Sequence, residues 1–182
     1  MQEFNEIVLN NKLNKTTFTH SAFIALGSNL QDPILQVNNA LLALEYLPQT
    51  SLIKTSSLYR TVPIGYEAQP DFVNAVAEIS TDLSPLDLLD ALLKLEILAG
   101  RERPFANAPR VLDCDLLLYA NVKMHTEKLT LPHPRMKDRA FVLLPLSEIA
   151  PNLNLEKQGI NVKLIDFIQT SAIQNQGIKK LA

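Results

Sequence analysis

The 182-residue chain holds a single cysteine, Cys114. One thiol cannot close a disulfide within the chain, and it points to a reducing compartment. Long apolar runs are missing too: none approaches the length of a membrane span, and residues 1–20 lack the hydrophobic core of a signal peptide. An excess of either charge is also absent, since 17 Lys and Arg against 19 Asp and Glu leave a net charge of −2. That balance offers no global basic field for nucleic acid and no polybasic patch for a membrane. There is no internal repeat, low-complexity block or second-domain linker. What remains is a soluble cytoplasmic protein, long enough to bury a real core in one domain.

The charge that is present is unevenly placed. Five of the six arginines (Arg101, Arg103, Arg110, Arg135 and Arg139) fall between residues 101 and 139. A local cluster of guanidinium forks in a mildly acidic chain suits a small anionic ligand better than a polyanion. Inside this region Val111–Tyr119 reads as a buried strand that carries two carboxylates. Alternation puts Asp113 and Asp115 on one face, about 7 Å apart along the strand, with Leu112, Cys114 and Leu116 turned into a core. Two like charges on an apolar strand repel and lose hydration unless a cation joins them. Hard oxygen donors with no His or Cys alongside suit Mg²⁺, which binds through one or two carboxylates plus substrate phosphates. The Asp-x-Asp pattern alone fits equally a half-exposed edge strand with two solvated aspartates.

In chain order, residues 1–20 form a polar N-terminal extension with Ile7, Val8 and Leu9 as its apolar points, and residues 21–182 a single catalytic domain. Ala22–Leu26 reads as a strand closed by Gly27-Ser28-Asn29. Asp32-Pro33 opens a helix with Ile34, Val37, Leu41 and Leu44 on one face. Residues 51–61 give a second strand, 62–70 a loop, and Phe72–Ser80 a third strand. Ser84-Pro85-Leu86-Asp87 caps a second helix that runs to Gly100. The order β-α-β-β-α-β predicts an α+β, ferredoxin-like sheet with helices packed on one face and the other free for a site. Extra C-terminal elements follow: a strand near Leu129–Leu131, the Phe141–Leu146 run, a helix near Val162–Thr170 and a polar tail.

Four segments together resemble the 6-hydroxymethyl-7,8-dihydropterin pyrophosphokinase family over roughly residues 22–152. They are Ala25–Leu30; Ser57–Thr61 continuing to Gln69–Asn74; Pro109–Asp115; and Pro132–Met136 continuing to Arg139–Phe141. The resemblance implies transfer of the β,γ-pyrophosphoryl unit of ATP to the pterin hydroxymethyl group, with AMP leaving, as a step of folate synthesis. It implies two Mg²⁺ ions on Asp113 and Asp115, and Arg101, Arg103 and Arg110 as catalytic phosphate grips. ATP is expected at Arg103, Arg110, Lys128, Thr130, His133 and Arg139, with Lys128 standing where many relatives carry Arg. The pterin is expected at Thr61, Val62, Ile64, Phe72, Asn74, Glu96 and Phe141, with the two rings as a stacking pair. The protein is expected to be monomeric, with no nucleic-acid or membrane partner.

Read without the resemblance, His133 between two prolines fits an ordinary loop residue more readily than a ligand, and Phe72 and Phe141 fit ordinary core packing more readily than a stacking pair. Asn74 tips the aromatic pair toward a site, because a buried amide on a strand face needs partners. Departures from the family pattern are Ala108 where many relatives have Gly, Cys114 where they have an apolar residue, and a 100–110 loop with Pro104, Phe105 and Asn107. Two rival readings remain at this point: a ligand-binding regulatory module, and an RNA-binding domain of the same fold.

Overall fold

The computed structural model describes residues 18–63, 68–102, 108–158, 160 and 163–181. Expectations that fall on 1–17, Ile64, Gly65, Arg103, Pro104, Phe105, Asn107 and Val162 lie outside the described residues.

Two apolar runs make the centre of the sheet. β1 (His20–Ser28) pairs antiparallel with β4 (Phe72–Thr81) along its whole length, from His20↔Thr81 to Ser28↔Val73. β5 (Asp113–Tyr119) flanks β1 on the other side, again antiparallel. β2 (Thr50–Thr55) and β3 (Tyr59–Thr61) follow one another along the remaining edge of β4. The strand expected over 51–61 is therefore interrupted. At the break the Ser56 hydroxyl accepts the Val76 N–H at 2.9 Å, standing in for a ladder carbonyl, while Ser56 N–H donates to Val76 O at 2.9 Å. β8 (Ile178–Lys180) pairs outside β3, so the expected polar tail ends as an edge strand.

Helix α1 (Pro33–Glu45) starts as its sequence predicts, with Asp32 accepting the Leu35 N–H at 3.1 Å and a proline in the first turn. It buries Val37, Ala40, Leu41 and Leu44, whereas Ile34 is 42% exposed and lies off that face. Helix α2 (Pro85–Leu98) is capped by Ser84, which accepts the Asp87 N–H at 3.2 Å. Gly100, at φ +89°, supplies the left-handed residue that ends it.

Strand alternation sorts the core into two layers. Ala22, Ile24 and Leu26 of β1 and Val73, Ala75, Ala77 and Ile79 of β4 pack against α1 and α2. Phe23, Ala25, Val76, Leu117 and Leu118 face the other way, onto α3 (Ala140–Ile149). Helices on one face therefore describes α1 and α2 only, and α3 corrects the expectation by covering much of the second face. The reason is the second face itself, too apolar to be left in water: Leu117, Leu143 and Leu146 are fully buried there. A bulge helps, since pairing jumps from Phe23↔Leu118 to Ile24↔Leu116 and adds Leu117 to the α3 side. The end of that face nearest Gly27, Asn74 and Asp113 stays open.

Smaller pieces complete the chain. β6 (Met124–His125) pairs with β7 (Thr130–Leu131), the expected extra strand. α4 (Leu164–Ile168) falls where a helix was expected, and α5 (Ser171–Gln174) follows it. No helix among the described residues is long and apolar enough to cross a membrane.

Candidate active site

The open end of the sheet is organised around Gly27, whose partners are Asn74 in β4 and Asp113 in β5. A Cβ at Gly27 would stand 3.0 Å from Asn74 Oδ1, so the missing side chain makes room for that amide. Asn74 is 5% exposed and donates from Nδ2 to Thr61 Oγ1 at 2.9 Å. Ala25 lies opposite Asp115 in the next row that shares this face.

A cavity of about 380 Å³ opens here, lined by Thr61, Val62, Phe72, Asn74, Arg110, Asp113, Asp115, Arg139 and Phe141 among others. A second cavity of about 250 Å³ is lined by Lys128, Thr130, His133 and Asp115. Asp115 lines both cavities. Thr61, Val62, Phe72, Asn74 and Phe141, expected at the pterin, line the first cavity, and Lys128, Thr130 and His133, expected at ATP, line the second, but Arg110 and Arg139, also expected at ATP, stand in the first.

Each aspartate is paired with an arginine, and each arginine also lies over a ring. Arg110 donates to Asp113 at 3.0 Å with its guanidinium carbon 5.8 Å from the Phe72 centroid. Arg139 donates to Asp115 at 3.1 Å and stands 5.3 Å from the Phe141 centroid. Cation–π attraction and the ion pairs act together at both positions. Burial lowers the affinity of Arg139 for its proton, against the pull of Asp115, yet the group stays a cation. His133 Nδ1 accepts the Arg135 N–H at 3.2 Å, which leaves the proton on Nε2, 3.8 Å from Asp115. Burial pushes His133 below the ordinary imidazole value, with Asp115 opposing.

Two expected site residues stand elsewhere. Glu96, expected at the pterin, does not line that cavity; it is 1% exposed on α2, behind the carboxylate strand. Its Oε1 accepts the Cys114 N–H at 2.7 Å and its Oε2 takes a short bond from Arg101. Arg101 accordingly faces Glu96 and lines neither cavity. Cys114 is buried as expected, and burial pushes its thiol well above the ordinary value, with Glu96 adding to the effect. Arg103 and Ile64 lie outside the described residues.

Some residues of the site were given no role from the sequence. Asn29, 2% exposed, accepts the Arg110 N–H at 2.8 Å and donates to Gln69 at 2.9 Å and Pro70 O at 3.1 Å. It ties the arginine loop to the loop before β4. In the sequence it marked a turn and belonged to the Ala25–Leu30 segment, with no role of its own expected. Gln69, Arg135 and Asp138 also line the first cavity.

For a metal the donor set is small. Among the described residues no cluster of three or more His, Cys, Asp or Glu converges. Asp113 and Asp115, with side chains 22% and 29% exposed, are hard oxygen donors open to a cavity. This fits Mg²⁺, which completes its shell with water and phosphate, and not a metal that needs a full protein cage.

Comparison with known proteins converges on one family. The model of 7,8-dihydro-6-hydroxymethylpterin-pyrophosphokinase (HPPK) matches residues 23–151. The 2-amino-4-hydroxy-6-hydroxymethyldihydropteridine pyrophosphokinase of Haemophilus influenzae is 48% identical over 145 residues, covering 80% of this chain and 91% of that one. The enzyme of the same name from Pseudomonas aeruginosa is 48% identical over 133 residues, covering 73% and 82%. Among solved structures, Plasmodium falciparum HPPK-DHPS with pterin and p-hydroxybenzoate has a TM-score of 0.68 at 16% identity, covering 92% of this chain and 47% of that one. The chain belongs to the HPPK family.

Proposed function

We propose that the protein transfers pyrophosphate from ATP to the hydroxymethyl group of 6-hydroxymethyl-7,8-dihydropterin, with release of AMP, as a step of folate synthesis. The observation that carries this reading is the pair of cavities meeting at Asp115, one with an aromatic pair and a buried amide, the other with Lys128, Thr130 and His133.

The pterin enters the first cavity between Phe72 and Phe141, where ring faces hold a flat heterocycle. Asn74, steadied by Thr61, presents its amide to the ring edge, and Val62 borders the slot. ATP lies toward the second cavity, its phosphates reached by Lys128, Thr130 and the Nε2–H of His133. Magnesium ions held by Asp113 and Asp115 would neutralise phosphate charge and align the attacking and leaving oxygens. Arg110 and Arg139 pair with Asp113 and Asp115, and where Mg²⁺ neutralised those carboxylates the two guanidinium groups would be available to phosphate oxygens. The pterin hydroxymethyl oxygen attacks the β-phosphorus, the bond from that phosphorus to the α-phosphate oxygen breaks, and AMP leaves. Most of the rate comes from positioning and charge neutralisation. Glu96 acts from behind by holding the Cys114 N–H between the two aspartates, and it orients Arg101.

The scaffold is a ferredoxin-like sheet, a reading supported by the order β5-β1-β4 with β2 and β3 on the far edge. Residues 21–182 act as one catalytic domain. The lone buried thiol is in keeping with the cytoplasm.

The test is a crossed binding experiment. Phe72→Ala and Phe141→Ala should weaken pterin binding and spare a non-hydrolysable ATP analogue, whereas Lys128→Ala should do the reverse. A single pattern of loss in all three variants would refute the two-cavity assignment.

A further inference from the structure

Arg139 occupies the N-cap of α3, the position where a short polar side chain ordinarily accepts a free helix N–H. Its guanidinium is directed to Asp115, and it makes no side-chain cap bond. The missing acceptor comes from far along the chain. Gln176 Oε1 accepts the Ala140 N–H at 2.8 Å, while its Nε2 donates to Asp138 O at 2.8 Å and to Ala172 O at 3.0 Å. One side-chain amide therefore holds the backbone on both sides of Arg139.

The next residues reach β3 and the loop that follows it. Gly177, at φ +61°, places its Cβ position 3.6 Å from Val62 Cγ2. Ile178 is the register partner of Thr61 in the β3–β8 ladder. Leu181 N–H donates to Leu58 O at 2.8 Å and fixes the end of the strand. Gln176, Gly177, Ile178 and Leu181 lie beyond the stretch 23–151 that matches the family model.

We propose that Gln176 is a positioning residue for pyrophosphoryl transfer. By capping α3 and bracketing Arg139 it sets the guanidinium beside Asp115 and the Phe141 ring beside the pterin slot. The segment 176–178 in consequence supports the substrate site from behind, lining neither cavity itself. This inference rests on the roles given above to Arg139 and Phe141.

The amide is suited to the task because it both accepts and donates. A glutamate would keep the acceptor at a helix N-terminus, where negative charge is favoured, and lose the donor. An alanine would lose both.

The experiment uses the full chain with Gln176→Ala, Gln176→Glu, Arg139→Ala and Phe141→Ala. Michaelis constants for both substrates, kcat and melting temperature are measured for each. Pterin affinity is read from pterin fluorescence, which a chain without Trp does not obscure. Gln176→Ala should raise both Michaelis constants about five- to twentyfold well below its melting temperature, and Gln176→Glu should recover only the share owed to the cap, because a carboxylate accepts the Ala140 N–H but cannot donate to Asp138 O and Ala172 O. Constants within about twofold of the parent, or a loss that vanishes when all variants are assayed equally far below melting, would overturn the proposal. If Arg139→Ala and Phe141→Ala are themselves silent, the site assignment falls and the bracket with it. If they act and Gln176→Ala does not, only the bracket falls.

Discussion

At the scale of single residues, the site is a set of opposed charges held at short range. Asp115 touches both cavities and pairs with Arg139 at 3.1 Å. Asp115→Asn keeps the shape and removes the charge, so turnover should fall by about 10²–10³-fold, with the fold retained by circular dichroism. Gly27→Ala makes a subtler prediction. The new methyl would meet Asn74 Oδ1 at 3.0 Å, and a side-chain amide can swing aside, so the protein should fold. The displaced amide should cost about ten- to hundredfold in pterin KM, the value of a misplaced buried hydrogen-bonding group. An unchanged pterin KM in Gly27→Ala would show that Asn74 does not read the pterin. The paired carboxylates and the Phe72–Asn74 face were legible because strand alternation is a two-residue period. Glu96 was not, because a helical period says that a residue faces the core and not which strand amide it meets there.

At the scale of elements, Glu148 of α3 joins three parts of the chain. It accepts from Ser57 N at 3.2 Å, Ser57 Oγ at 2.7 Å, Tyr59 OH at 2.7 Å and Lys180 Nζ at 3.1 Å. Helix α3 is thereby fastened to β3, whose Thr61 lines the first cavity, and to β8, which pairs with it. Burial alone would raise the Glu148 carboxyl, but these hydrogen bonds outweigh it and hold the group below its usual 4.5. A lowered folded-state value contributes stability above the unfolded value, and that stability is lost as pH falls through the folded one. Glu148→Gln should therefore lower the melting temperature at neutral pH and flatten its decline on the acid side. Burial, followed by Glu148, pushes Tyr59 up to about 12 from 10.0. Its contribution is full below pH 10.0 and is lost toward about 12, so Tyr59→Phe should flatten the alkaline limb in that window. Melting curves of both variants that parallel the parent at every pH would contradict this. No sequence pattern foretold the hub, since its partners lie far from Glu148 on either side in the chain.

At the scale of the whole molecule, two helices close one face of the sheet and α3 closes most of the other, leaving an opening where β1, β4 and β5 present Gly27, Asn74 and Asp113. Helix starts and stops at Asp32, Ser84 and Gly100 could be read directly, because caps are local chemistry. The broken strand at Ser56 and the edge strand at 178–180 could not, because both depend on long-range pairing. Phe18 O accepts from Ser80 Oγ at 2.7 Å and Thr19 N–H donates to Asp82 at 2.8 Å, which anchors the approach to β1. A chain that starts at Phe18 should then keep turnover within about twofold, and a large loss would place residues 1–17 in the site. Everything in the proposed reaction turns on attack at the β-phosphorus. Its most direct measurement is the nucleotide formed when pure protein meets ATP, Mg²⁺ and 6-hydroxymethyl-7,8-dihydropterin. AMP is expected, formed only when pterin and metal are both present; ADP, or no nucleotide product from folded protein, would rule out attack at the β-phosphorus.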